Sequence, residues 1–193
     1  ALAIGVTVVY LACGWYLAHH VWRTAYALET EKQVESLRIV QFADSHVGST
    51  FDGEGFLELV KKMQAENPDI VVVTGDYVDD DTTKEDMVAA CAALGTLETT
   101  YGVYYVFGNH DRGYYGPDYR GYNGSDLIAE LEKNNVIVLQ DEAVLLGEDF
   151  YLIGRKDRSE EQLGGYRASM EELTAGLDPE KYSIVLDHQP HQF

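Results

Sequence analysis

The first 22 residues stand apart from the rest of the chain. No charged residue interrupts Ala1 to Ala18, and the apolar character runs on through His19 and His20 to Trp22. At about 1.5 Å per residue, a helix of that length is roughly long enough to cross the hydrocarbon core of a bilayer. A secretory signal has a shorter apolar stretch, about 7–15 residues, and a small-residue cleavage site. A core helix of a soluble domain would show a polar face. The pattern therefore predicts an uncleaved single-pass anchor over residues 1–22, with Trp15, Tyr16 and Trp22 as an interfacial belt and Arg23 as its basic flank. Residues 23–36 mix charges with few apolar positions and read as a juxtamembrane connector.

From Leu37 onward, short β-branched runs alternate with stretches of helical period. Leu37 to Ala43 (LRIVQFA) predicts a strand, and Phe56, Leu57, Leu59, Val60 and Met63 recur at helical spacing until Pro68 marks a stop. Ile70 to Thr74 (IVVVT) is so uniformly apolar that it reads as a strand covered on both faces. Lys84 to Leu97 predicts a second helix, Gly102 to Phe107 (GVYYVF) a third strand, and Asp126 to Asn134 a third helix. Strands are expected near Val136–Leu139, Ala143–Leu146 and Phe150–Ile153, then a helix around Ser169–Ala175 and a last strand at Tyr182–Leu186. Asp44–Gly55, the Tyr- and Gly-rich Gly113–Gly124 and the polar Gly154–Gly165 read as loops.

At 193 residues, 46% of them hydrophobic, the chain can bury one sizeable core, which sets residues 37–193 as a single domain. The formal net charge of −19 argues against a nucleic-acid polymer as partner, because binding one needs clustered Lys and Arg. A small phosphate ester stays compatible if cations neutralise acidic side chains at a site. Cys13 lies in the apolar run and Cys91 in a predicted helix, so neither a disulfide framework nor a Cys-type metal spacing is indicated.

Chemistry gathers at the strand ends. Asp44-Ser45-His46 comes directly after the first strand, with Asp44 and His46 two apart and able to share a side. Asp76 comes after Gly75 at the tip of IVVVT, where a carboxylate beside a hydrophobic core needs a cation or hydrogen bonds to compensate it. Asn109, His110 and Asp111 crowd behind GVYYVF, with Gly108 allowing a tight path, and Asp187-His188 ends the last strand. Open α/β sheets place their sites along that carboxyl edge.

With its DSH, PDIVVVTGDYVD, GVYYVFGNHD and VLDHQP strings, the chain from about Leu37 onward resembles the calcineurin-like metallophosphoesterase superfamily, in particular its small bacterial membrane-associated members. The resemblance implies a four-layer α/β/β/α sandwich behind the transmembrane helix, and hydrolysis of a phosphomonoester or phosphodiester by a metal-activated hydroxide. It implies two metal ions of manganese, iron or zinc type, one held by Asp44, His46 and Asp76, the other by Asp76, Asn109 and His188, with Asp76 bridging. His110 would stabilise or protonate the reacting phosphate and Asp111 would orient it. The substrate would be a small or lipid-linked phosphate ester, and the catalytic domain would lie outside the cytoplasm.

Two departures from that family stand out. The sequence reaches Phe193 before any Gly-His-x-His string, and His191 is no substitute, so both ends read as cut and metal binding by these residues alone as weak. The rival reading is a catalytically inactive, membrane-tethered binding module with a degenerate site. Asp79, three residues after Asp76, replaces the tyrosine of purple acid phosphatases and disfavours that subfamily. Tyr114, Tyr115, Tyr119 and Tyr122 are candidates for a stacking lid, Arg112, Arg155, Lys156 and Arg158 for phosphate contacts, and Met63 and Met87 for core positions.

Overall fold

The computed structural model describes residues 2–190, so Ala1 and His191 lie outside it. It divides into two compact units, residues 1–31 and residues 32–193. In the first, α1 (Leu2–His19) is apolar throughout and none of its residues is buried. By length and composition it is able to cross a membrane. The helix ends at His19 rather than Trp22, and His19 Nδ1 bonds the Trp15 carbonyl within that last turn.

The second unit begins earlier than the first predicted strand. Val34 and Leu37 pack into its interior, Lys32 Nζ donates to the carbonyls of Pro179 and Lys181, and the Glu35 N–H donates to Asp149. Four parallel strands, β1 (Ile39–Phe42), β2 (Ile70–Thr74), β3 (Val103–Val106) and β4 (Val136–Val138), lie side by side in that order. The crossovers carry α2 (Gly53–Gln64), α3 (Lys84–Leu94), and the pair α4 (Pro117–Arg120) and α5 (Gly124–Lys133). Each crossover steps one strand further in the same direction, so right-handed connections send the helices to one face. Val71, Val73, Val103 and Tyr105 pack there against Phe56, Val60, Met87, Leu94 and Leu127. Met63 is half-buried.

The other face of IVVVT is equally covered. Ile70, Val72, Tyr104 and Val106 meet Leu146, Phe150, Leu152 and Leu186 of a second sheet, formed by β5 (Glu142–Leu146), β6 (Phe150–Gly154) and β7 (Tyr182–Leu186). β5 runs antiparallel and β7 parallel to β6. A short helix within the expected Gly154–Gly165 loop, α6 (Ser159–Gln162), precedes α7 (Met170–Thr174), whose Met170 and Leu173 close the outer face with Ile153 and Ala168. The result is the expected four-layer α/β/β/α sandwich.

Helix bounds are set by their caps. Asp52 accepts the Gly55 N–H and starts α2 three residues ahead of its first large apolar position. Asn123 and Asp126 form a capping box that starts α5 at Gly124.

Candidate metal centre

The loops that leave β1 and β2 continue side by side beyond the strands. The N–H groups of Asp44, His46 and Val47 donate to the carbonyls of Gly75, Asp76 and Tyr77 at 3.0, 3.2 and 2.9 Å. Asp44, His46 and Asp76 sit at φ 55°, 40° and 52°, three of the six non-glycine residues with positive φ among the described residues. That left-handed region is unfavourable for residues with a Cβ, with Asp, Asn and His the most tolerant. Its price is accepted here at three neighbouring positions, a concentration characteristic of functional sites.

Glycine makes the approach possible. A Cβ on Gly75 (φ +85°) would lie 2.5 Å from the Gly108 nitrogen and 2.8 Å from His188 Nδ1, and one on Gly108 would overlap the Asp76 carboxylate. Asp111, fully buried, ties the loops together. Its oxygens accept the backbone N–H groups of Asp76, Tyr77, Val78 and Gly108 at 3.0, 2.9, 3.1 and 2.7 Å. What Asp111 orients is therefore the Asp76 turn; the His110 ring is not among its hydrogen-bond partners. Burial pushes the Asp111 carboxyl up to about 6, against the pull of the Gly108 and Val78 N–H groups.

Asp76 is the meeting point. It is 4% exposed, and its Oδ1 accepts the His110 N–H at 2.9 Å. Its Oδ2 lies 3.2 Å from His188 Nε2, 3.9 Å from His46 Nε2 and 4.0 Å from His110 Nε2. Ligand atoms of Asp44, His46 and Asp76 all lie within 4.8 Å of one another. Two of these imidazoles are turned by their far nitrogens. His188 Nδ1 bonds the Thr74 carbonyl at 2.8 Å, and His46 Nδ1 bonds Asp79 Oδ2 at 3.1 Å. Both partners only accept, so each Nδ1 carries a proton and each Nε2 is turned toward Asp76. Without a cation, the Asp76 carboxylate, opposed by burial and helped by the Thr74 carbonyl, raises His188 to about 9. Burial works to raise Asp76, but the bonds from His188 and His110 outweigh it and hold it below the ordinary carboxylate value.

The β3 loop completes the group. Asn109 Oδ1 accepts from Gln189 Nε2 at 2.6 Å, and Asn109 Nδ2 donates to the Tyr114 hydroxyl at 2.8 Å. His110, about a third exposed, stands edge-on to the rings of His46 and Tyr114 at 5.2 and 5.1 Å.

A family model for calcineurin-like phosphoesterases matches residues 37–192. The chain belongs to that family. An uncharacterized metallophosphoesterase of Aquifex aeolicus is 35% identical over 86% of this chain and 60% of its own length. A Danio rerio protein described as a transmembrane protein with a metallophosphoesterase domain is 30% identical over 85% of this chain and 38% of its own. The chain thus spans 60% or less of the length of these relatives. Among solved structures, a nuclease of Pseudomonas putida overlaps 61% of this chain and 54% of its own at 21% identity and a TM-score of 0.37, too slight a likeness to bear on substrate.

Several other candidate residues of this chain lie elsewhere. Tyr122 is buried in the helix-side core under the Arg120 guanidinium and cannot be part of a lid, whereas Tyr114, Tyr115 and Tyr119 are exposed. Arg155 is buried and paired at 2.9 Å with Asp187, which also holds Arg167 at 2.7 Å, so Arg155 is not presented to a phosphate. Asp187 and His188 follow directly on β7, and their side chains part there: Asp187 is taken by the two arginines, while His188 enters the pocket. Arg112 Nε pairs with Glu160 at 2.6 Å, Lys156 Nζ lies 3.8 Å from Asp141, and Arg158 is exposed. Sequence reasoning missed Asp79 as the partner of His46; its carboxylate within GDYVD was the available signal. Nothing in the sequence marked Gln189.

Proposed function

We propose that this chain is a membrane-anchored, metal-dependent phosphoesterase with a dinuclear site. The observation that carries the reading is the convergence on Asp76 Oδ2. With their Nδ1 protons directed to Thr74 and Asp79, His188 and His46 turn Nε2 toward a carboxylate that only accepts. Acceptors gathered around an acceptor need a proton or a cation between them. Carboxylate, amide oxygen and imidazole donors suit manganese, iron or zinc. Asp44, His46 and Asp76 would hold one ion, and Asp76, Asn109 and His188 the other, with Asp76 shared.

Bound ions would supply Lewis acidity toward a phosphoryl oxygen and a water of lowered pKa. The protein's own contribution is position and protons. Asp111 and the two glycines set Asp76, while Thr74 and Asp79 fix the tautomers of His188 and His46. His110, outside the ligand set and partly exposed, would donate a proton to the leaving oxygen of a phosphomonoester or phosphodiester.

The test is metal content and hydrolysis of a panel of mono- and diesters by the full chain in detergent. Asp76→Asn should lose both metal and rate, and His110→Ala should keep metal and lose rate. Failure of the unsubstituted protein to bind metal, or wild-type behaviour of Asp76→Asn, would overturn the reading. The apolar helix α1 supports a membrane address and, with it, a lipid-linked ester as substrate and a catalytic domain outside the cytoplasm. Vesicles carrying the full chain should cleave lipid-linked esters; turnover of soluble esters alone would refute that choice. Protease digestion of right-side-out and inverted vesicles reads the orientation.

A further inference from the structure

We infer that Tyr114, outside the proposed ligand set, is a positioning residue that, together with Gln189, holds the Asn109 amide with its Oδ1 toward the segment carrying His188. The inference rests on the dinuclear reading above. An amide ligates a cation through Oδ1, because the Nδ2 lone pair is delocalised and that nitrogen only donates. Asn109 is therefore useful in one of its two orientations. In the structure both ends are committed: Nδ2 donates to the Tyr114 hydroxyl, and Oδ1 accepts from Gln189, the neighbour of His188. Turning the amide over would set Nδ2 against the Gln189 donor.

Tyr114 is itself held firmly for an exposed residue. Its N–H donates to Asp80 Oδ1 at 2.9 Å, the Tyr115 N–H donates to the same oxygen at 3.2 Å, and the Gly113 N–H donates to the His110 carbonyl at 2.9 Å. Asp80 belongs to the loop that carries Asp76 and Asp79, so the β2 and β3 loops are tied through the backbone of Tyr114. Its ring stands at 85° to that of His110. The phenol thus reaches a proposed ligand and the proposed acid from one anchored point, while its own proton stays available to solvent or substrate.

The experiment is calorimetric titration of the metal-free full chain with Mn²⁺, comparing wild type, Tyr114→Phe, Asn109→Ala and the double variant. Wild type should take two ions. Tyr114→Phe, which keeps the ring and removes the hydroxyl, should weaken the second binding step about fivefold, the size of one neutral hydrogen bond, and leave the first unchanged. In the Asn109→Ala background the same substitution should have no further effect. The lost rate of Tyr114→Phe should return at higher Mn²⁺, and its Asn109 side-chain amide protons should exchange faster with solvent in the metal-free protein. Unchanged binding in Tyr114→Phe, equal weakening with and without Asn109, or unchanged amide exchange would overturn the inference. Absence of Mn²⁺ binding by wild type overturns the dinuclear reading and this inference with it, an outcome distinct from two normal steps in Tyr114→Phe.

Discussion

His188 Nε2 lies 3.2 Å from Asp76 Oδ2, while Nδ1 of the same ring bonds the carbonyl of Thr74, two residues before Asp76. One imidazole from the second sheet is thereby locked against the tip of β2, and the two sheets share a single polar pocket.

That lock sets a pH dependence in the metal-free protein. His188 titrates at about 9, above its ordinary value of 6.5. A raised cation contributes stability fully below 6.5 and loses it as pH climbs through about 9; Asp76, held low, contributes above 3.8 and loses it as pH falls through its folded value. A metal held by His188, as proposed, must displace its proton, so Mn²⁺ affinity should rise with pH and level off near 9. Titrations at several pH values in buffers of different ionisation enthalpy should show proton release on binding; pH-independent affinity would contradict the lock.

Asp79 holds His46 by its Nδ1. Asp79→Ala should leave the ring free to turn and lower metal affinity roughly 10–100-fold, as losses of such outer partners do. Metal titration reads the effect. Asp79 Oδ1 also accepts the N–H groups of Asp81 and Thr82, so Asp79→Asn, which keeps that acceptor, separates the two roles.

Gly108 has no room for a methyl group, since a Cβ there would overlap the Asp76 carboxylate. Gly108→Ala should destabilise the fold by about 1–3 kcal/mol, the usual cost of overpacking. It should also displace Asp76, so denaturant unfolding and metal content should fall together. Gly164, whose Cβ would meet nothing within 4 Å, is the control: at φ +79° an alanine there costs stability through its backbone alone and should leave metal content intact.

Asp111 accepts from four backbone N–H groups at a fully buried position. Asp111→Ala would strand them, at about 1–3 kcal/mol for each group left unsatisfied, and should abolish folding or cost most of the stability. Asp111→Asn keeps one acceptor oxygen and should fall between. Chemical denaturation gives the order; an Asp111→Ala protein of normal stability and reduced rate would instead support action on His110.

The strands were legible one by one, because each is a short run of β-branched, aromatic or other apolar residues bounded by turn formers. IVVVT announced its burial on both faces, and the structure buries its two sets of side chains in two separate cores. Bounds were less legible where caps decide them, as at Asp52 and Asn123, and α6 was missed because Ser159–Gln162 has no apolar face to signal a helix.

By itself the amino-acid sequence determined which polar residues come after which strands, since period and turn chemistry are local properties of the chain. Only the tertiary structure decided which of those tips share a pocket. His188 and Asp187 are adjacent in sequence, yet one enters the pocket and the other is buried with Arg155 and Arg167, because the chain leaving β7 turns these neighbours to different partners while sheet packing joins residues far apart in the chain. Tyr122 and Tyr114 look alike in composition, and the turn at Gly121 sends the first into the core while the second reaches Asn109.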